Sequence, residues 1–223
     1  MTRVKICGLT NEDDLETAVD AGADALGIIC DVSVDTPREV AVERARELVD
    51  AAPPFVTTVL VTMPSGPERA IELADEIEPD AIQFHGSIRL GDLAYLRANV
   101  DAKLLLAVDA DDAVRAETYD DVVDGLLVDT PAADGGGGTG ETHDWDQTRV
   151  ATVDLESPLI LAGGLTPDNV ADAVRTVDPF AVDVASGVEA EGGVKDPDAV
   201  RSFVDRAKNA RRTAEPYPEP NHE

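Results

Sequence analysis

The chain has 223 residues, of which 43% are hydrophobic, so it is long enough to form one large α/β domain around a sizeable core. Its 46 acidic residues outnumber its 18 basic residues, which gives a net charge of −28 and a pI near 4.1. A negative field of this strength excludes nucleic acid and anionic membranes as partners, and the N-terminus lacks the apolar stretch of a signal peptide, so we expect a cytoplasmic protein.

Eight short apolar segments alternate with helical patterns from one end of the chain to the other. Continuous apolar runs of this length are typical of strands that are buried on both faces of a parallel sheet. The predicted strands are Val4–Cys7, Ala25–Ile29, Phe55–Val61, Ala81–His85, Leu104–Val108, Gly125–Asp129, Leu159–Ala162 and Ala181–Ala185. Eight β-then-α units in this length predict a single α/β domain, a closed (β/α)₈ TIM barrel spanning residues 1–210.

Several predicted helices have recognisable starts and apolar stripes. Thr10 with Asp13 predicts a capping box at the first helix. Thr166-Pro167 and Asp196-Pro197 each predict an N-cap residue before a proline at the first helical position. The stripes with i, i+3, i+4, i+7 spacing are Val170, Ala173, Val174 and Val177 in the seventh unit, and Val200, Phe203, Val204 and Ala207 in the eighth.

Three segments lack such a pattern. The helix between Asp144 and Val153 is poorly patterned, so the sixth unit is the weakest. Before it, a glycine run at residues 135–140 has no following lysine and is therefore not a P-loop; it predicts a mobile active-site loop, with a plain flexible linker as the alternative. Residues 211–223 contain three prolines and no apolar stripe, which predicts a mobile C-terminal tail.

The chemically suggestive residues follow the predicted strands. In a barrel of this class, catalytic residues lie at the C-terminal ends of the strands and in the loops after them. The residues at these positions are Cys7 in the first unit, Cys30 in the second, Gln83 and His85 in the fourth, Asp129 in the sixth, Gly163 and Gly164 in the seventh, and Ser186 and Gly187 in the eighth. The sequence therefore predicts one active site at this end of the barrel.

Two glycine turns predict a phosphate site. Gly163-Gly164 and Ser186-Gly187 follow the seventh and eighth strands, the usual phosphate-binding loops of this architecture. Glycine lets the backbone approach a phosphate closely, and neutral amide donors suit a protein this acidic. The alternative is that both are tight turns that merely need a positive φ.

Six motifs in order along residues 3–206 resemble the phosphoribosylanthranilate isomerase family. They are Lys5-Ile6-Cys7-Gly8-Leu9-Thr10, Thr36-Pro37-Arg38, Gln83-Phe84-His85-Gly86, Asp129 with Gly137-Gly138-Thr139-Gly140 and Asp144-Trp145, Leu161-Ala162-Gly163-Gly164-Leu165, and Val184-Ala185-Ser186-Gly187-Val188-Glu189. The chain departs from the family pattern at Thr62, Glu141 and His143, and the segment Cys30–Asp35 lacks the aromatic residues common there.

This resemblance implies an Amadori rearrangement of tryptophan biosynthesis. N-(5-phosphoribosyl)anthranilate opens its furanose ring and becomes 1-(2-carboxyphenylamino)-1-deoxyribulose 5-phosphate. An acid protonates the ring oxygen and a base removes the C2 proton of the resulting Schiff base. By the resemblance, Cys7 is the base and Asp129 is the acid. A thiol pKa lowered by Lys5 or by local dipoles and an Asp129 pKa raised by burial would suit these roles.

The remaining residues are given binding or packing roles. Arg38 is predicted to bind the anthranilate carboxylate bidentately, with an ordinary surface arginine as the alternative. Gln83 and His85 are predicted to line the barrel mouth, and Cys30 to be a packing residue. Two cysteines and three histidines without a metal-ligand spacing predict no metal and no cofactor. The expected partner is a small phosphorylated substrate, and both a monomer and a homodimer stay open.

Two other functions would account for part of the motif pattern, and the composition indicates the environment of the protein. Another phosphate-binding barrel, such as indole-glycerol-phosphate synthase or a histidine-pathway sugar isomerase, would share the two glycine turns but would not explain Cys7 with Asp129. A non-catalytic sensor of phosphorylated ligands is the alternative from a different class. The acidic excess with only four lysines indicates a protein adapted to concentrated salt, which screens self-repulsion.

Overall fold

The strands form a closed parallel barrel in the order β1 to β8, and β8 pairs with β1. This computed structural model describes residues 1–86, 88–130 and 142–210. The strands are β1 Arg3–Cys7, β2 Ala25–Ile29, β3 Thr57–Thr62, β4 Ala81–Phe84, β5 Lys103–Asp109, β6 Gly125–Asp129, β7 Leu159–Leu161 and β8 Ala181–Val184. The predicted (β/α)₈ TIM barrel is confirmed, although Phe55 precedes β3 and is fully exposed instead of starting that strand.

The helices cover the outside of the barrel. They are α1 Glu12–Asp20, α2 Val42–Ala51, α3 Pro67–Ile77, α4 Leu90–Arg97, α5 Trp145–Ala151, α6 Val170–Val177 and α7 Pro197–Asn209. In the fifth unit a 3₁₀ segment, Ala110–Thr118, stands in place of an α-helix. None of the described helices is long and apolar enough to cross a membrane.

A short hairpin follows the last barrel strand. The 3₁₀ turn Ser186–Val188 leads from β8 into two antiparallel strands, β9 Glu189–Glu191 and β10 Val194–Lys195. We call this element the 189–195 hairpin. It lies at the C-terminal end of the barrel, because it begins directly after β8, and it leads into α7.

The last two helices confirm the predicted stripes. All eight stripe residues of α6 and α7 are buried against the barrel. The Asp196 side chain accepts hydrogen bonds from the backbone N–H groups of Asp198 and Ala199, and Pro197 is the first residue of α7, as predicted. Cap and stripe therefore agree on where this helix begins and which face it buries.

The predicted start of the first helix is wrong. Asn11, not Thr10, is the N-cap of α1, and its side chain accepts a hydrogen bond from the backbone N–H of Asp14 at 2.8 Å. The Thr10 hydroxyl instead donates to the backbone carbonyl of Gly193 at 3.0 Å. Thr10, which the local pattern predicted to be the N-cap, therefore makes a long-range contact with the 189–195 hairpin instead.

Aspartates fasten the N-terminal ends of the strands in a repeating way. Asp24, Asp80 and Asp124 precede the even-numbered strands β2, β4 and β6. Each accepts a hydrogen bond from a backbone N–H of the preceding odd-numbered strand, at 2.7 to 2.9 Å. These bonds satisfy donors that the parallel ladder leaves open at the strand ends. These aspartates therefore have a structural role at the N-terminal end of the barrel, opposite the end where the site is predicted.

Two sets of predictions lie outside the described residues. The glycine run at residues 135–140 and the departure Glu141 fall in the first set. The tail of residues 211–223 is the second. The interpretations of these segments stay predictions, and so does the division of the chain into a barrel of residues 1–210 and a tail.

Candidate active site

Cys7 and Lys5 lie side by side inside the barrel. They are two residues apart on β1 and therefore point to the same face of the strand. The Lys5 Nζ donates to Asp183 Oδ1 on β8 at 2.9 Å, and Lys5 and Asp183 are register partners. Gly27 on β2 leaves room for the pair, since a methyl group there would lie 2.7 Å from Cys7 Sγ and 3.0 Å from Lys5 Nζ.

Burial raises the pKa of the Cys7 thiol above its ordinary value. The nearby Lys5 and Lys195 ammonium groups act in the opposite direction, and Asp183 adds to the increase. The predicted net lowering of this pKa is therefore wrong. Lys5 does lower the pKa, but desolvation of a thiolate on a barrel strand outweighs the attraction of both lysines. Cys7 rests as a thiol, beside two cations that stabilise the thiolate when it forms.

Asp129 ends β6 and faces the same cavity. Burial raises its pKa to about 7, and repulsion from the Asp183 carboxylate contributes in the same direction. A raised pKa is the shift that the sequence analysis predicted for this residue. Its Oδ1 atom is buried and has no hydrogen-bond partner among the described residues. A half-protonated carboxyl with an unpaired buried oxygen suits a proton donor to a bound ligand.

The predicted residues of the barrel mouth meet in one cavity. Cys7, Arg38, Gln83, His85 and Asp129 all line it. Gln83 is buried at the end of β4, and its Oε1 atom is buried without a partner among the described residues. Burial lowers the pKa of His85, so its imidazole is neutral at pH 7. Gln83 and Asp129 therefore each have a buried oxygen without a hydrogen-bond partner among the described residues, and both residues line this cavity.

Arg38 reaches this cavity in a fixed orientation. Its Nε donates to Glu189 Oε1 at 2.9 Å and its Nη2 to Glu189 Oε2 at 2.8 Å. Lys195 Nζ donates to the same Glu189 at 2.7 Å. Sequence reasoning placed Glu189 within a phosphate turn and gave Lys195 no role. The scarcity of lysine in the chain was the one signal that could have singled out Lys195.

The two glycine turns lie against the neighbouring loops. Gly163 and Gly164 have φ values of 86° and 62°, which a side chain would strain. A methyl group on Gly163 would collide with Thr130, at the end of β6, and one on Gly187 would collide with the carbonyl of Leu165. The backbone N–H groups of Gly163 and Gly164 meet no acceptor in the part of the chain that the structure describes.

The helix after β7 begins later than predicted. Asn169, not Thr166, precedes α6, which starts at Val170. The Asn169 side chain accepts from the Thr166 N–H at 2.8 Å and donates to the Gly164 carbonyl at 2.9 Å. The reason is that an asparagine three residues downstream competes successfully for the same turn. It also ties the Gly163-Gly164 turn to the start of α6.

The departures from the family pattern have local partners. The Thr62 hydroxyl at the end of β3 is buried and donates to the Asp31 carbonyl at 3.0 Å. His143 Nδ1 lies 3.0 Å from the Thr130 hydroxyl, and its Nε2 is buried without a partner among the described residues.

Cys30 is buried, and burial raises its pKa to about 11, which favours the predicted packing role. Within the described ranges, no group of three acidic, histidine or cysteine side chains is arranged to hold a metal.

Comparisons with known proteins identify the family of this chain. Residues 4–206 match the family model described as N-(5'-phosphoribosyl)anthranilate (PRA) isomerase. An N-(5'-phosphoribosyl)anthranilate isomerase of Haloferax volcanii is 58% identical over 219 residues, which is 98% of this chain and 99% of that protein.

Solved structures of the same family share the fold. The structure of the Thermotoga maritima phosphoribosyl anthranilate isomerase has a TM-score of 0.82 and 36% identity, covering 94% of this chain and 100% of that one. A second isomerase structure, in complex with reduced 1-(o-carboxyphenylamino)-1-deoxyribulose 5-phosphate, has a TM-score of 0.79 and 34% identity with the same coverage.

Proposed function

Because the chain belongs to the N-(5'-phosphoribosyl)anthranilate isomerase family, we propose that Cys7 and Asp129 are the base and the acid of its reaction. The enzyme is an isomerase of tryptophan biosynthesis, and its substrate is a phosphorylated aminosugar. The observation that supports this assignment of roles is that one cavity is lined by Cys7, whose pKa two nearby lysines lower, and by Asp129, a carboxyl with a pKa of about 7.

The first step is the opening of the sugar ring. Protonated Asp129 gives its proton to the ring oxygen while the bond between that oxygen and C1 breaks. The nitrogen lone pair of the anthranilate forms the C1=N bond, which leaves a cationic Schiff base and a carboxylate on Asp129. The raised pKa of Asp129 favours this step, because a substantial fraction of the carboxyl groups still carry the proton at pH 7.

The second step is the removal of the C2 proton. Cys7 first loses its own thiol proton to solvent, and the resulting thiolate takes the C2 proton. The electron pair of the C2–H bond forms a C1=C2 bond, and the π pair of the C1=N bond neutralises the nitrogen. Return of a proton to C1 and loss of the C2 hydroxyl proton give the ketone. Lys5 and Lys195 lower the pKa of Cys7 against its burial, so they stabilise the thiolate as it forms.

The two ends of the substrate have separate contacts. We assign the phosphate to the turns after β7 and β8, where Gly163, Gly164, Ser186 and Gly187 lie, because the amides of the first two lack protein acceptors in the described chain. We assign the anthranilate carboxylate to Arg38, with Gln83 and His85 beside the reacting sugar.

A turnover assay on purified protein in molar potassium chloride tests this function. Fluorescence of phosphoribosylanthranilate should decay with the wild type, and Cys7→Ala and Asp129→Asn should each lower kcat by ~10²–10⁴-fold, the usual contribution of an acid or a base. Affinity for a reduced product analogue should change little, because neither residue is assigned to the phosphate or the carboxylate.

Cys30→Ala is the matched control, since it truncates the second buried cysteine of the same chain. It should keep wild-type turnover. A folded Cys7→Ala variant with near-normal kcat would contradict the mechanism, and a wild type that binds the analogue without turnover would favour the sensor function. The family match already decides against indole-glycerol-phosphate synthase and the histidine-pathway isomerase.

Three further assignments are proposals. The biosynthetic activity of the family favours a cytoplasmic location for this enzyme. The oligomeric state is proposed to be a monomer or a homodimer, and light scattering after gel filtration in molar potassium chloride distinguishes the two. The charge and the acidic surface make nucleic acid and anionic membranes unsuitable partners.

A further inference from the structure

We infer that the 189–195 hairpin is a positioning device for Arg38, through which Glu189 and Lys195 set the selectivity for a substrate that bears a carboxylate. The inference rests on the proposed role of Arg38 as the carboxylate clamp. Glu189 and Lys195 are positioning residues and not catalytic residues, because their contacts reach the substrate through Arg38.

Glu189 determines which edge of the Arg38 guanidinium is offered to the ligand. Its two carboxylate oxygens take the Nε and Nη2 donors, at 2.9 and 2.8 Å. A guanidinium has five N–H donors, so two on Nη1 and one on Nη2 remain, and they meet no acceptor among the described residues. These donors form the end of the fork, which binds a second carboxylate through two parallel bonds. Because Glu189 occupies the Nε and Nη2 edge, the substrate carboxylate can bind bidentately only at the Nη1 and Nη2 end of the guanidinium.

Lys195 holds Glu189 in that position. Its Nζ donates to Glu189 Oε1 at 2.7 Å and to the Ala185 carbonyl at 3.3 Å, and its side chain is 0% exposed. Its backbone N–H donates to Asp14 Oδ2 at 3.0 Å, which ties β10 to the first turn of α1. Removing either charge would leave a buried partner uncompensated, so the orientation of the guanidinium depends on both.

The stem of Arg38 is confined as well. A methyl group on Gly8 would lie 2.7 Å from Arg38 Cδ, so the arginine side chain crosses directly over the backbone next to Cys7. On the other side, a methyl group on Gly192 would lie 2.9 Å from Pro37 Cγ, so the hairpin packs against the residue before Arg38. The guanidinium is therefore fixed by its stem, by its edge and by the hairpin.

The charge of this cluster also points to an anionic ligand. Arg38 and Lys195 carry two positive charges against the one negative charge of Glu189, which leaves one positive charge beside the cavity. The chain has only four lysines and a net charge of −28, yet two of the lysines, Lys5 and Lys195, are 3% exposed at this site. Burying an ammonium group has a large desolvation cost, so the burial of Lys195 at this site indicates that it has a function there.

The test compares phosphoribosylanthranilate with phosphoribosylaniline, which lacks the carboxylate. For each variant, discrimination is the ratio of kcat/KM for the two substrates. Glu189→Gln should lower discrimination by roughly 10-fold, through a higher KM for the carboxylate substrate and with kcat kept within about 3-fold. Lys195→Met should lower discrimination to a similar extent, and it should also lower kcat for both substrates, because Lys195 lowers the pKa of Cys7. Glu191→Gln, an exposed carboxylate on the same hairpin, is the matched control and should leave discrimination unchanged.

Three outcomes are distinguishable. If Arg38→Ala lowers discrimination and Glu189→Gln adds nothing further in that background, the inference is supported. If Arg38→Ala lowers discrimination but folded Glu189→Gln keeps it, the inference is overturned and the proposed clamp stands. If Arg38→Ala leaves discrimination unchanged, the clamp is wrong and the inference falls with it, whereas the assignments of Cys7 and Asp129 are untouched.

A measurement on the wild type guards against variants that fail to fold. The Arg38 Nε–H resonance, assigned by its absence in Arg38→Ala, should exchange with solvent at least roughly 10-fold more slowly than the Nε–H of an exposed arginine such as Arg89. It should stay protected when the reduced product analogue binds, because the ligand uses the opposite edge. Exchange as fast as that of Arg89 would overturn the inference.

Discussion

Asp129 keeps its proton to a higher pH than an exposed carboxyl does. Burial opposes its charge and the Asp183 carboxylate repels it, whereas the Thr130 backbone N–H and Lys5 act in the other direction with smaller effect. The resulting pKa of about 7 suits an acid at neutral pH. It also has a thermodynamic consequence, since folding must hold this carboxyl where its charged form is unfavourable.

Asp129→Asn should therefore gain stability relative to the wild type as the pH rises from 5 to 8. The folded pKa of about 7 lies above the unfolded value, so the wild type has its full contribution below about pH 4 and loses it progressively up to about pH 7. Asparagine carries no charge at any of these values. The difference in free energy of unfolding should grow by about 1–3 kcal/mol over this range and level off above pH 7.

Urea unfolding at constant molar potassium chloride measures this difference. Asp121→Asn, which alters an exposed carboxyl in a turn, is the control and should show a difference that does not vary with pH. A pH-independent difference for Asp129→Asn would mean that burial does not raise the pKa of Asp129.

At the residue scale, the location of a residue could be predicted where it follows from position along the chain. Cys7 and Asp129 end barrel strands, and the geometry of a parallel barrel brings such residues to one cavity. The partnership of Arg38 with Glu189 joins residues 151 positions apart, and no local pattern encodes it. The direction of the Cys7 pKa shift also escaped prediction, because it depends on the balance between burial and two lysines, one of them 188 residues away.

At the scale of a single strand, β2 contributes Gly27 to the site, a residue whose importance is that it has no side chain. Gly27 faces the barrel interior opposite Cys7 and Lys5, and the space that a methyl group would need is filled by the thiol and the ammonium. Neither neighbour has room to move, since both are buried on β1. The glycine therefore fixes how closely the thiol and the ammonium approach.

Gly27→Ala should damage catalysis more than folding. A methyl group 2.7 Å from Cys7 Sγ forces the thiol out of place, and a displaced base is expected to lower kcat by roughly 100-fold. Overpacking should also reduce the free energy of unfolding by about 1–3 kcal/mol. Gly91→Ala is the matched control, because nothing lies within 4 Å of a methyl group there. Wild-type kcat in Gly27→Ala would contradict the crowded arrangement.

The elements themselves were predicted with uneven success, for physical reasons. Continuous apolar runs gave every barrel strand to within two residues, because a strand buried on both faces admits few other sequences. The starts of α1 and α6 were misplaced, because each predicted threonine precedes an asparagine that makes the local side-chain hydrogen bonds. Asn11 caps α1, whereas the Asn169 side chain bonds back to Thr166 and Gly164 and makes no cap bond to α6. Local propensity does not show which of two neighbouring polar residues will cap a helix. At α1, the Thr10 hydroxyl is bonded to Gly193, so Asn11 is the cap.

For the whole molecule, the distribution of charge separates the site from the surface. Around Cys7, three cations (Lys5, Arg38 and Lys195) face two carboxylates, Asp183 and Glu189, so the site is locally positive. The rest of the chain carries the excess that brings the net charge to −28. A substrate that carries a phosphate and a carboxylate is therefore attracted at short range and repelled at long range. Salt screens mainly the repulsion, because buried charges are screened much less.

The same charge excess predicts that the protein needs salt to stay folded. The native barrel concentrates like charges that the unfolded chain spreads apart, and the screening length falls from ~10 Å at 0.1 M to ~3 Å at 1 M salt. We expect the Tm to rise by more than about 5 °C over this range, which corresponds to roughly 2 kcal/mol for a domain of this size. Calorimetry in potassium chloride measures the rise, and sucrose at matched osmolality is the control, because it adds excluded-solute stabilisation without screening. A Tm that does not change in potassium chloride, or that rises equally in sucrose, would show that the acidic surface is not an adaptation to salt. A rise that occurs only in potassium chloride would support the adaptation and would agree with the similarity to the Haloferax volcanii enzyme.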